Sequence, residues 1–104
     1  MQITKTIFNT ETGEGTDKGY FRMENKADRK QIVFEHDGEH FLYSYVNVNQ
    51  TCGIMELDET LVFSCDAEGK VTDWDELFMV DGYKSIEDVM EEMEIEDTMS
   101  KERL

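Results

Sequence analysis

No stretch of this 104-residue sequence approaches the ~20 consecutive apolar residues that a membrane-spanning helix needs. The opening residues, MQITKTIFNTETGEG, also lack the basic-then-apolar layout of a secretory signal, so a cytoplasmic protein is expected. Cysteine is scarce. Two in the chain are too few for a secreted disulfide scaffold, and a reducing compartment would keep both as thiols. Asn49-Gln50-Thr51 fits a glycosylation sequon, but without a secretory signal it carries no argument. Proline is absent, and no internal repeat is present. The shortage with most consequence is in basic residues: 10 Lys and Arg against 25 Asp and Glu, a formal net charge of −15. A field of that sign repels nucleic acid and anionic membrane and attracts basic surfaces, so direct binding to nucleic acid or membrane is not expected.

What is present suffices for a folded core. Hydrophobic residues make up 38% of the chain, with six Phe, four Tyr and one Trp, which excludes low-complexity disorder. The length fits a single small two-layer domain, expected over residues 1–97, with 98–104 as a frayed tail.

Gln2 to Phe8 reads as a strand, with Ile3, Lys5 and Ile7 on one side and Thr4, Thr6 and Phe8 on the other. A glycine-rich loop over 10–19 follows, and Tyr20 to Glu24 is the candidate return strand. Residues 31–48 form the clearest hairpin. Asp37-Gly38 suits a two-residue turn whose central residues both need positive φ, which sets Phe34 opposite Phe41 and Ile32 opposite Tyr43. One face then carries Ile32, Phe34, Phe41, Tyr43 and Tyr45. A second hairpin is expected to join residues 53–57 to 60–65 through Asp58-Glu59, which would place Cys52 opposite Cys65.

The period then changes. Asp73, with Glu76 three residues on, matches a capping box, and Trp74, Leu77 and Phe78 have helical spacing; Leu77 to Val80 as one more strand is the alternative. Ser85 is the expected cap of a final helix, with Ile86, Val89, Met90 and Met93 as its apolar stripe. The fold class is therefore α+β: an antiparallel meander of five or six strands with a C-terminal amphipathic helix on one face.

Candidate chemistries fall away in turn. His36-x₃-His40 with Cys52-x₁₂-Cys65 offers zinc-ligand types but not structural-zinc spacing, and the expected hairpin register points the two histidines to opposite faces. A nucleophilic cysteine needs a cationic neighbourhood, and this one is negative. Gly13 to Gly19 misses both phosphate-loop patterns and carries Glu14 and Asp17 where donors would be needed. Asp73-x-Asp75 begins a calcium loop that Leu77 and Phe78 then break. The aromatic hairpin face lacks the positive groove of a base-stacking platform. No nucleophile, base and orienter can be named together, so neither enzyme nor cofactor is expected.

Residues 85–97, SIEDVMEEMEIED, concentrate the charge: seven carboxylates and no Lys or Arg. Residues 1–63 balance at −5, whereas 64–104 balance at −10. Glu87 with Glu91 and Asp88 with Glu92 are like-charged pairs at i, i+4, each costing on the order of 0.2–0.5 kcal/mol. Glu94, Glu96 and Asp97 sit toward the helix C-terminus, where the dipole disfavours anions. Thirteen helical residues span ~20 Å, so the carboxylates fall at about one per 2.8 Å. Duplex DNA carries about one charge per 1.7 Å of axis. In size and charge the chain is similar to the small acidic inhibitors that phages and mobile elements direct at host nucleases and other nucleic-acid-handling machinery. That similarity implies a partner with a basic, nucleic-acid-binding surface. The candidate binding residues are Asp73, Trp74, Asp75 and Glu76, with Trp74 as an apolar anchor, together with Glu87, Asp88, Glu91, Glu92 and Glu94. The alternative is a structural or assembly subunit whose acidity serves solubility.

Overall fold

A computed structural model describes residues 1–15, 27–49 and 56–102. Six strands form one antiparallel sheet in the order β2-β1-β3-β4-β5-β6. They are β1 (Gln2–Asn9), β2 (Glu14–Gly15), β3 (Ala27–His36), β4 (Glu39–Asn49), β5 (Glu56–Cys65) and β6 (Val71–Asp81), followed by helix α1 (Ile86–Glu102). The class is broadly α+β. The helix continues through most of the segment expected as a tail.

The β3–β4 hairpin follows its turn chemistry. Asp37 and Gly38 have φ of 51° and 81°, and Phe34 pairs with Phe41 and Ile32 with Tyr43. Their parity gives the first face: Ile32, Phe34, Phe41, Tyr43, Tyr45 and Val62 are buried in one cluster with Ile86 and Val89, while Met90 and Met93 are partly buried against it. Phe34 and Phe41 stack with ring centroids 5.4 Å apart. The second face is smaller, with Val33, Leu42 and Cys65 buried and Ile7 and Val71 packed beside them. In β1 the simple alternation is broken by register shifts between Ile3 and Lys5 and between Thr6 and Phe8, and Phe8 is buried.

Two expectations are corrected. Asp58-Glu59 is not a turn: β5 runs straight through it, with Asp58 opposite Asn47 and Glu59 opposite Val46. An Asp-Glu pair offers no glycine to take up positive φ, and the alternation of Thr60, Val62 and Leu61, Phe63 continues a strand instead. Cys65 therefore lies opposite His40, and it is a free thiol. The suggested pairing with Cys52 lies outside the described residues, as does the suggested return strand at 20–24.

The capping-box segment is also extended, within β6, so the strand alternative holds for Leu77 to Val80 and reaches back to Val71. The Asp73 carboxylate does accept a backbone N–H, from Asp75 at 2.9 Å. That local bond fits a turn or cap equally well, and pairing with β5 decides the outcome. Val62 pairs with Phe78 and Ser64 with Asp73, leaving Trp74 to Leu77 as a bulge opposite Phe63.

Between β6 and α1, residues 82–85 form a strap tied to the strands. Thr60 Oγ1 donates to the Gly82 carbonyl (2.8 Å) and accepts from the Lys84 N–H (3.1 Å), and Tyr43 Oη donates to the Lys84 carbonyl (2.6 Å). Tyr83 meets the Tyr45 ring edge-on, with Lys30 Nζ 4.8 Å from its centroid. The strap sets the helix start. Ser85 caps it as expected, its Oγ accepting the Asp88 N–H at 3.2 Å.

Candidate functional site: an acidic helix and an acidic bulge

On α1 the buried positions Ile86 and Val89 leave Glu87, Asp88, Glu91 and Glu94 exposed. Glu92 differs. It is half-buried and ion-paired with Lys84 of the strap. Eight residues separate the partners, and only the strap brings them together, so helix periodicity alone does not reveal the pair.

The second group sits on the bulge of β6. Asp73, Asp75 and Glu76 are exposed, and Trp74 is 75% exposed. The Trp74 ring is not free in solvent, because it packs edge-on against Phe63 at 5.5 Å. Phe63 pairs with nothing on the first face. Strand parity puts it beside Leu42 and Cys65 on the second. The structure thus brings Glu87, Asp88, Glu91, Glu92 and Glu94 together on one helix, and Asp73, Trp74, Asp75 and Glu76 together on one bulge. Trp74, however, anchors on the face opposite to Ile86 and Val89, so it is not at the centre of the helical charge row.

Sequence reasoning missed three exposed apolar side chains: Leu77 (50%) on the bulge, Met79 (60%) further along β6 and Tyr83 (55%) in the strap. Leu77 and Met79 were readable as alternate positions of the strand alternative.

Other chemistry-bearing groups, His36, His40, Cys65 and Lys30, lie on the strands. His36 lies 3.4 Å from Asp37 and His40 4.0 Å from Glu35, and the paired register is the expected one, His36 with Glu39 and Glu35 with His40. Among the described residues, no group of three or more His, Cys, Asp or Glu could hold a metal ion. A shallow recess of about 280 Å³ is lined by His40, Ser64, Cys65 and Thr72, among others. Burial, with the Asp66 charge nearby, pushes the Cys65 thiol up and opposes thiolate formation. Lys30 is buried and reaches Glu11 at 2.6 Å. Burial pulls its ammonium down, but the bonds to Glu11 and Tyr83 outweigh that and raise it, while Glu11 is held low by Lys30.

These features define a class no narrower than a small acidic α+β protein with two exposed acidic elements. No protein-family model, curated protein or solved structure matches the chain. Among the described residues, no helix is long and apolar enough to cross a membrane.

Proposed function

We propose that the chain is a small, cytoplasmic, acidic binding protein that docks a basic surface of a nucleic-acid-handling protein. It acts there as a nucleic-acid-mimicking inhibitor or regulator of the phage or mobile-element type. The observation that carries this reading is the helical row Glu87, Asp88, Glu91 and Glu94, exposed along an element whose apolar positions are committed to the core. The reading takes α1 as packed on the sheet's first face by its Ile86–Met93 stripe, within one domain. A row of like charges that costs its own helix stability is retained for what it attracts. No cofactor or catalytic group is required.

The test is capture from the native host at low salt, followed by identification of the partner and competition with duplex DNA. Glu87→Lys, Glu91→Lys and Glu94→Lys together should abolish capture, and both added DNA and physiological salt should displace the partner. Full capture by the triple variant, or a complex indifferent to salt, sinks the proposal. The second reading, a structural or assembly subunit acting through a sheet edge, is favoured by one observation: Leu77, Met79 and Trp74 stand exposed on the terminal strand β6. A salt-indifferent complex would support it.

A further inference from the structure

β6 ends the sheet, and among the described residues no strand pairs with its outer side. The Gly82 N–H donates to the Asp58 carbonyl at 2.9 Å, which fixes the alternation of the ladder. Phe78 and Val80 direct their backbone groups toward β5, and Met79 and Asp81 direct theirs outward. On the second face the same stretch presents Leu77 and Met79, with Trp74 beyond them over Phe63. An apolar edge of this kind is open to strand addition.

Charge selects the occupant. Asp81 lies directly opposite Glu59, a like-charged cross-strand pair that opposes pairing, and among the described residues no cation forms an ion pair with either. At the other end of the apolar patch stand Asp73, Asp75 and Glu76, likewise without an ion-pairing cation among the described residues. Each copy of the chain carries a formal net charge of −15, so pairing with a second copy is opposed by like fields. We propose that the outer edge of β6 at residues 77–81 binds an extended segment of a basic protein by strand addition. The segment is apolar at its centre, against Leu77, Met79 and Trp74, and carries Lys or Arg at its ends, against Asp81 and against Asp75 and Glu76. The inference rests on the proposed acidic-docking function for the sign of the partner's charge, and it assigns a different element the directional contacts.

Trp74 is the chain's only tryptophan, so its emission reports on the site directly. The probe is an end-blocked Lys-Arg-Val-Thr-Val-Arg-Lys peptide, titrated at low salt into the full chain. A saturable change in Trp74 emission is expected. Methylating the central backbone nitrogens of the peptide should weaken binding about tenfold, with charge and side chains unchanged. Met79→Pro, which removes an outward N–H but no bond to β5, should bind about tenfold more weakly than Met79→Ala. Equal affinity for the parent and methylated peptides, or no saturable change, overturns the proposal. The methylation penalty should persist in the Glu87→Lys, Glu91→Lys, Glu94→Lys variant. If that variant loses the peptide and methylation has no effect on the unaltered chain, strand addition fails and docking through the helix stands. If the variant keeps both peptide and penalty while still capturing its cellular partner, docking through the helix fails and strand addition stands.

Discussion

On the first face of the sheet, Phe34, Tyr43 and Val62 are wholly buried in a cluster that includes Ile86 and Val89. On the second, Leu77, Met79 and Trp74 remain half or more exposed, although they come from the same sheet and the same kinds of residue. The difference lies in what covers each face. The start of α1 contributes the buried side chains of Ile86 and Val89 to the first cluster, and the strap is hydrogen-bonded to Thr60 and Tyr43. Among the described residues, the second receives the tight turn at 66–70, whose Gly69 approaches Ile7 and Val33. One face therefore holds the fold together, and the apolar side chains of the other stay exposed.

The sharpest way to break that comparison is to truncate one large apolar side chain on each face. Phe34→Ala removes a wholly buried ring and should cost about 3–5 kcal/mol in chemical denaturation. Met79→Ala on the open face should stay within about 0.5 kcal/mol, as exposed substitutions do. Equal costs would mean that the second face is covered after all.

The turn over the second face gives the next largest effect. Gly69 has φ of 91°, and a Cβ there would lie 2.4 Å from Ile7 Cδ1 and 3.1 Å from Val33 Cγ2. Gly38, with φ of 81°, has open space around it. Gly38→Ala should cost about 1 kcal/mol from backbone strain alone. Gly69→Ala should add the close approach, for a total of about 2–3 kcal/mol. Matching values would show that the turn lifts off the sheet freely.

The first face was legible in the sequence for a physical reason. Asp37-Gly38 is a turn determined by its own two residues, and it sets the parity of every aromatic in β3 and β4. The stripe of α1 and its Ser85 cap are equally local. What escaped depends on distant pairing. Asp58-Glu59 has loop composition, yet Val46 and Asn47 hold it in the ladder. The Asp73–Glu76 pattern supports a cap or a bulge with the same Asx bond, and only the register with β5 distinguishes them. The acidic candidates were visible as charges. That Lys84 neutralises Glu92, and that Trp74 turns to the second face, follow from the strap and the bulge.

Detaching the cap tests the first face more gently. Ser85→Ala removes the oxygen that accepts the Asp88 N–H and should cost about 1 kcal/mol, read as a lowered denaturation midpoint. If the helix carries the covering role assigned to it, amide exchange should quicken at Val62 and Tyr43 and leave Val33 and Leu42 less affected. Uniform quickening across both faces would erase the distinction.

Protonation of Asp66 should do the converse, loosening the second face alone. Its carboxylate accepts the N–H groups of Lys70 and Glu68, each at 2.9 Å, and the Lys70 bond is the main cause of its lowered pKa. A carboxyl whose pKa is depressed on folding stabilises the fold above its unfolded value, about 3.9 for Asp, and loses that contribution as pH falls through the depressed value. Asp66→Asn keeps an acceptor oxygen but no charge. At neutral pH the variant should therefore denature earlier than the parent, and the gap should close as pH falls below the ordinary carboxylate range. The side chain is fully exposed, so salt should shrink the gap as well. A difference that persists unchanged into acid would mean that the bonds, and not the charge, pin the turn over Ile7 and Val33.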